Sequence, residues 1–366
     1  MRIDRRQFIA RSATLAAGGL VARASSSQPA RRRPQRVAVV GVGHYHAFSP
    51  PNYLAILQSQ KTDIVGVHDP DAAIAAKYAA QVGSTPFTDY RSLIEKQKPE
   101  FVIALGHHAA MPATFRYLVE AGVPFLMEKP WGVDDRTVRQ LADLAESKHA
   151  WVAVPMPFRY SWWAETAKRM RERGELGAIS HILFRFNQPG VQRYIDSGSS
   201  WILTKAEAGG GALLNLGIHG FDVMRYITGE EPKVVVAVTS HATQRREVED
   251  YAHVTLRTPG GIICLNEASY TYPTNGSDQE RKVAAEKAVL TGVTAGGEGV
   301  RIAAPGRSPS NDVVRAPESY LAGWPGAVND CLDRIGRGEP PAVTARDCAR
   351  AVSLVFDAYR TAGEIK

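Results

Sequence analysis

From Arg36 onward the chain alternates short runs of β-branched and aliphatic residues with longer stretches whose apolar positions recur at helical spacing. The apolar runs predict strands at Val37–Val40, Ile64–Val67, Phe101–Leu105, Pro124–Met127 and Trp151–Val154. Helices are predicted between them at Ala72–Gln81, Tyr90–Gln97, Pro112–Ala121 and Asp134–Lys148. Alternation of strand and helix is how a parallel sheet with crossover helices reads, and such a doubly wound sheet takes its ligands at the carboxyl ends of its strands. Past Pro157 the pattern changes to long Val-, Thr- and Ile-rich runs separated by turns, at Lys233–Ser240, His253–Arg257, Ile262–Tyr270 and Lys287–Thr291. With helices near Trp162–Arg173, Ala212–Thr228 and Gly326–Gly336, these predict a second domain built on an open, mostly antiparallel sheet. A last helix should open at Thr344-Ala-Arg-Asp347, a capping-box-like start, and run to about Ala362. The expected fold class is α/β plus α+β, with no internal repeat.

A chain of 366 residues exceeds what one hydrophobic core usually holds. The divisions expected are a leader over 1–24, a Ser/Pro/Arg-rich disordered linker over 25–35, a nucleotide-binding domain over 36–157 and a substrate and oligomerisation domain over 158–366. The apolar content of 44% and the charged content of 22% are ordinary for a globular protein. The net charge of +7 invites a nucleic-acid reading, but its placement argues against one. The leader holds Arg2, Arg5, Arg6, Arg11 and Arg23 against Asp4, and Arg31, Arg32, Arg33 and Arg36 add four more charges, so the remainder is close to neutral. A basic face for DNA is not expected. Cys264, Cys331 and Cys348 lack the paired spacing of a zinc or redox motif and read as buried small hydrophobes.

The leader itself reads Asp4-Arg5-Arg6-Gln7-Phe8-Ile9, then a weakly apolar run from Ala13 to Ala22, then a small-x-small pattern at Ala22-Arg23-Ala24. It resembles a twin-arginine export signal, which implies delivery to the periplasm by a route that carries folded proteins, often with a cofactor bound. The apolar run is too short to span a bilayer and is flanked by Arg11 and Arg23, so no membrane anchor is expected.

Candidate chemistry begins at Val37-Ala-Val-Val-Gly41-Val-Gly43, a strand running into glycines that allow a tight turn and a close approach to a pyrophosphate. The loop departs from the usual fingerprint, because His46 occupies its third small position and Pro50-Pro51 interrupts the first helix. Asp69, just beyond the second strand, strengthens the nucleotide reading. A carboxylate there accepts hydrogen bonds from ribose hydroxyls and repels a 2′-phosphate, which favours NAD over NADP. His44 and Tyr45 in the loop, and His107 after the fourth strand, are candidates to border the cofactor. The alternative is that Asp69 only caps the next helix while the glycines only turn the chain.

Glu128-Lys129-Pro130 follows the fifth predicted strand, and with it the sequence resembles the Gfo/Idh/MocA oxidoreductases. Supporting segments are Thr88-Asp-Tyr-Arg-Ser-Leu93, Leu118-Val-Glu-Ala-Gly122, the run from Gly209-Gly-Gly to Phe221-Asp222, and Gly338-Glu-Pro-Pro-Ala-Val-Thr344. The resemblance covers nearly all of residues 36–366. It implies a Rossmann domain followed by a substrate domain, with Glu128 and Lys129 near the nicotinamide. It also implies hydride transfer between NAD and a sugar or cyclitol hydroxyl, and homo-oligomers that pair through the open sheet. Oxidising a carbinol requires a base for the hydroxyl proton. Lys129 is the principal candidate, since desolvation there would lower its pKa; an ordinary surface lysine is the alternative.

Asn215 and His219, four apart, should share a helix face. The resemblance makes this pair substrate-binding and catalytic, but the first position is commonly Asp in that family. An amide can only orient an imidazole, so the proton-transfer role shifts toward Lys129. His219 has the alternative of a satisfied core histidine. Arg159, Tyr160, Trp162, Trp163 and Trp201 form a cationic and aromatic set able to bind a sugar, though such residues often pack in cores. Asp222 reads as structural, and no histidine spacing suggests a metal. Two other functions stay open: a lyase or glycosidase that oxidises its sugar transiently and recycles its own cofactor, and an idle NAD-bound sugar-binding protein.

Overall fold

The computed structural model describes residues 33–49, 51–293, 298–306, 313–316 and 320–365. The expected leader over 1–24 and most of the linker over 25–35 lie outside the described residues. Among the described residues no helix is long and apolar enough to cross a membrane.

The first half contains β1 (Arg36–Val40), α1 (Tyr53–Ser59), β2 (Asp63–His68), α2 (Ala72–Val82), β3 (Pro86–Phe87), α3 (Tyr90–Gln97), β4 (Phe101–Ala104), α4 (Met111–Glu120), β5 (Phe125–Met127), α5 (Asp135–Ser147) and β6 (Val152–Ala153). The strands pair in parallel in the order β3-β2-β1-β4-β5-β6, the doubly wound Rossmann arrangement that the alternating pattern predicts. Strands buried on both faces read as unbroken apolar runs, and four of the five residues of β1 are buried. The two-residue β3 was not expected from the sequence, being too short to carry a period. Pro51 precedes the first helix, and α1 begins at Tyr53, capped by the Asn52 side chain on Ala55 N–H.

The second half contains α6 (Trp162–Glu172), β7 (Ile179–Pro189), α7 (Gln192–Asp196), α8 (Lys205–Ala208), a π-helical turn at Leu213–Gly217, α9 (Ile218–Thr228), β8 (Lys233–Ser240), β9 (Tyr251–Arg257), β10 (Ile263–Tyr272), β11 (Asp278–Ala285), β12 (Val289–Val293), β13 (Glu298–Ala303), β14 (Val313–Ala316), α10 (Tyr320–Arg337) and α11 (Ala345–Ala362). Eight strands form one sheet in the order β14-β13-β12-β11-β7-β10-β9-β8. Only the central β7–β10 pair is parallel. The strands β7, β11, β13 and β14 were not expected from the sequence. In β7 intermediate and buried positions alternate through polar residues such as His181, Arg185 and Asn187, which blurs the hydrophobic period.

The two halves are not separate along the chain. Trp324, Val328 and Leu332 of α10 join the cluster formed by Val37, Val39 and Phe101 under the first sheet. The capping box expected at Thr344 is present, with Asp347 answering the Thr344 N–H. From there α11 packs against α5, α9 and β8, tying both sheets together. All three cysteines are buried and unpaired.

Candidate functional site

The turn after β1 is the first piece of the site. Gly41 has φ +80°, and a Cβ there would overlap the Leu105 carbonyl, so only glycine lets the loop close against β4. Gly43 N–H donates to Asp69 Oδ2 at 2.6 Å, and Asp69 Oδ1 accepts from Asp71 N–H at 3.1 Å. Helix α2 is capped instead by Asp71, whose carboxylate takes the N–H groups of Ala73 and Ile74. Asp69 therefore pins the glycine loop rather than the helix. It lines a cleft of about 530 Å³ together with Gly41, Gly43, His44, Gly106 and His107 and the apolar Pro70, Ile74 and Ala113. A glycine loop, a carboxylate and apolar residues lining one cleft suit a dinucleotide.

A second cavity of about 330 Å³ adjoins this cleft, for Tyr45 and Ser197 line the one while His44 and Gly198 line the other. Lys129, Asn215 and His219 all face into it. The spacing argument brought Asn215 and His219 to one wall, and the structure adds that the wall passes through the π-helical turn. The glycines before it are close-packed: a Cβ on Gly211 would overlap the Glu249 carbonyl. Glu249 in turn accepts from the N–H groups of Gly211 and Leu213, both at 2.8 Å, and from the Tyr359 hydroxyl at 2.7 Å.

Lys129 is buried, and its Nζ donates to Asn215 Oδ1 at 2.6 Å and to the Asn215 carbonyl at 2.7 Å. Burial lowers its pKa from 10.5 to about 8, against the opposing pull of the neighbouring Glu128. About a tenth of Lys129 is then neutral amine at pH 7, roughly 300-fold more than for an unperturbed lysine. His219 is buried beside it, and its Nδ1 has no hydrogen-bond partner among the described residues. Burial and the Lys129 charge hold its pKa well below the usual histidine value, so the ring is neutral. Glu128 lines neither cavity: its Oε1 accepts from the Tyr53 hydroxyl and meets His46 Nδ1, both at 2.8 Å.

Other expected contacts fall elsewhere. Tyr45 lines the inner cavity rather than the nucleotide cleft. Arg159 lines neither cavity: its Nε and Nη2 hold both Asp222 oxygens at 2.8 and 2.6 Å, with Asp347 at 3.2 Å. Tyr160 donates to Asp330 at 2.9 Å, and Trp163 is packed in the core. Trp201 stacks on His107 with ring centroids 4.5 Å apart, beside the nucleotide cleft. Buried ion pairs between distant segments leave no local signal, so this set resembled a sugar platform. Asp222, expected to be structural, clamps α9 through Arg159. His108 is buried against the Ala208 carbonyl, and burial pushes its pKa down to about 3. Among the described residues no group of three His, Cys, Asp or Glu side chains is placed to hold a metal ion.

The sequence reading missed the residues that complete the inner cavity: Gln188, Arg193, Tyr194 and Ser197. They come from the end of β7 and the short α7, where no periodicity or motif marks them. Tyr194 is tied into the wall, its hydroxyl accepting from Asn215 Nδ2 and from Arg193 Nη2, each at 2.9 Å.

Comparison with known proteins bears directly on this geometry. Residues 35–156 match the family model for the oxidoreductase family with an NAD-binding Rossmann fold, and residues 164–291 match the GFO/IDH/MocA C-terminal domain. Among curated relatives, the rhizopine catabolism protein MocA of Rhizobium meliloti is 26% identical over 213 residues, covering 57% of this chain and 62% of that protein. Myo-inositol dehydrogenase Hyg17 of Streptomyces leeuwenhoekii is 28% identical over 211 residues, covering 55% of this chain and 58% of that protein. The chain thus spans about three fifths of the length of these relatives. The solved NAD+ complex of an inositol dehydrogenase homolog from Azotobacter vinelandii superposes with a TM-score of 0.75 at 20% identity, over 92% of this chain and 97% of that one.

Proposed function

The chain belongs to the Gfo/Idh/MocA family of NAD-binding oxidoreductases, and on that premise we propose that it oxidises a sugar or cyclitol hydroxyl, with Lys129 as proton acceptor. The observation that carries the reading is the buried Lys129, its pKa lowered to about 8, facing a cavity next to the nucleotide cleft. Gly41, Gly43, His44, Asp69 and His107 would hold the dinucleotide. When bound, NAD supplies the acceptor for the hydride that leaves the carbinol carbon. The residues of the chain handle the rest. Lys129 as amine takes the hydroxyl proton, Asn215 holds Lys129 in place, and neutral His219, which lines the same cavity, meets a substrate hydroxyl.

Export through the leader, carried by Arg5 and Arg6 before Phe8 and Ile9, is part of the same proposal, as is a homo-oligomer. The exposed side chains of Val235, Val236 and Val238 on the edge strand β8 support self-association.

The test is absorbance at 340 nm with a panel of sugars and cyclitols, beside mass spectrometry of nucleotide retained by the purified protein. Lys129→Ala should lose about 10²- to 10⁴-fold in turnover while keeping NAD, and His219→Ala should raise KM more than it lowers kcat. Near-native turnover by Lys129→Ala would overturn the assignment. Product without net NADH would assign internally recycled redox chemistry instead.

A further inference from the structure

The charge of the inner cavity is unbalanced. Among the described residues its charged lining consists of Lys129 and Arg193, with no aspartate or glutamate. Among the described residues Lys129 donates to the neutral Asn215, and the nearby Glu128 carboxylate is turned to Tyr53 and His46. With aspartate at 215 the wall would carry a compensating charge; asparagine leaves none.

Arg193 is the more telling of the two cations. Its Nη1 donates to Gln188 Oε1 at 3.2 Å and its Nη2 to the Tyr194 hydroxyl at 2.9 Å. The guanidinium also lies 4.6 Å from the centroid of the Tyr194 ring. All these partners are neutral, and the Nε–H is buried with no partner among the described residues. Three other arginines drawn into the fold are neutralised by carboxylates: Arg159 by Asp222 and Asp347, Arg225 by Glu231, Arg185 by Asp278 and Glu280. A half-buried guanidinium without a carboxylate is unfavourable by itself and is compensated when a ligand brings one. The fork geometry of guanidinium matches a planar carboxylate through two parallel hydrogen bonds.

We propose that Arg193 is the substrate-recognising residue for a carboxylate, and that the substrate is a monosaccharide acid, a hexuronate or an aldonate, rather than a neutral sugar or cyclitol. This deepens the dehydrogenase reading and rests on it for the chemistry at the hydroxyl. A cavity of about 330 Å³ holds one sugar unit at the small end of ligand pockets. Gln188 and Tyr194, which hold the guanidinium, and Ser197 line the same cavity and would meet the hydroxyls. Lys129 and His219 lie on the wall that carries the chemistry.

The experiment uses the full mature protein with NAD bound. Glucuronate, galacturonate and gluconate are compared with glucose, myo-inositol and glucose 6-phosphate, by calorimetric binding and by NADH formation. The acids should exceed their neutral counterparts by about 10- to 100-fold in kcat/KM, the range of a charge-assisted hydrogen-bonded contact. Arg193→Gln should bring that ratio close to one, and Arg193→Lys should retain part of it, in variants that still bind NAD and melt cooperatively. Neutral sugars equal to the acids, a preference for the phosphate, or an acid preference unchanged in Arg193→Gln would each overturn the proposal. Neutral sugars oxidised without an acid advantage would leave the dehydrogenase reading standing while this one falls. Arg193-dependent binding of the acids without NADH formation would do the reverse.

Discussion

Replacing Asn215 by Asp puts a carboxylate where an amide oxygen now accepts from Lys129 Nζ at 2.6 Å. In the present wall the dominant influence on Lys129 is burial, which brings its pKa down to about 8. A unit charge roughly 3 Å from the ammonium, at an effective dielectric of about 20, is worth of order 5 kcal/mol before the carboxylate's own desolvation is subtracted. The net effect of such close opposite charges is a rise of about one to three pH units. Lys129 would then lose its proton between about pH 9 and 11 instead of near 8. If the amine is the base, kcat/KM of the unaltered enzyme rises with pH through about 8, because deprotonation creates the active form. In Asn215→Asp the rise moves up with the pKa, and activity at pH 7 drops by about 10- to 1000-fold while recovering at high pH. The assay is the pH dependence of kcat/KM between pH 6 and 11 with one responsive sugar, its midpoint being that of the free enzyme, where Lys129 and the introduced carboxylate titrate as a coupled pair. An unmoved midpoint, or faster turnover at pH 7, would refute the role of Lys129. Spacing alone assigned the influence of position 215 to His219; the structure transfers it to the lysine.

Three further outcomes are expected, two from the contacts and one from the leader. Asp69→Ala removes the acceptor of the Gly43 and Asp71 N–H groups; NAD affinity should fall by about 10- to 100-fold and the preference over NADP should narrow, both read by fluorescence titration. Asp222→Ala leaves the buried Arg159 guanidinium with Asp347 alone and should cost about 3–5 kcal/mol, measured by denaturant unfolding; an effect below about 1 kcal/mol would show that the pair contributes little. Changing Arg5 and Arg6 together to Lys should keep the protein in the cytoplasm, and unchanged periplasmic delivery in a fractionation assay would overturn the export assignment.

What the sequence disclosed and what it concealed divide along a physical line. The β1 run, the Gly41 turn and the acid at 69 were legible because each is local: a strand period, a φ that only glycine tolerates, and a residue at a strand end. Lys129 was legible through its motif, and Asn215 with His219 through helical spacing. Arg193 and Tyr194 were not, since they sit on a five-residue helix and acquire meaning only from partners far along the chain. The contact from Asn215 to Tyr194 spans 21 residues, and that from Lys129 to Asn215 spans 86. Arg159 was misplaced for the same reason, its partner Asp222 lying 63 residues away.

Those distant partners also explain why an amide at 215 is workable. An ammonium only donates, so the Lys129 contact fixes the Asn215 oxygen toward the lysine and its NH2 toward Tyr194. The Tyr194 oxygen accepts there and again from Arg193, so both its lone pairs are engaged by donors. Its own proton must then point to a third party, and the open side of that ring is the cavity. A carboxylate at 215 would instead accept that proton and draw the tyrosine away from the substrate, while holding Lys129 charged. Asparagine thus leaves the lysine able to take a proton and the tyrosine able to donate a hydrogen bond on the same side of one small cavity.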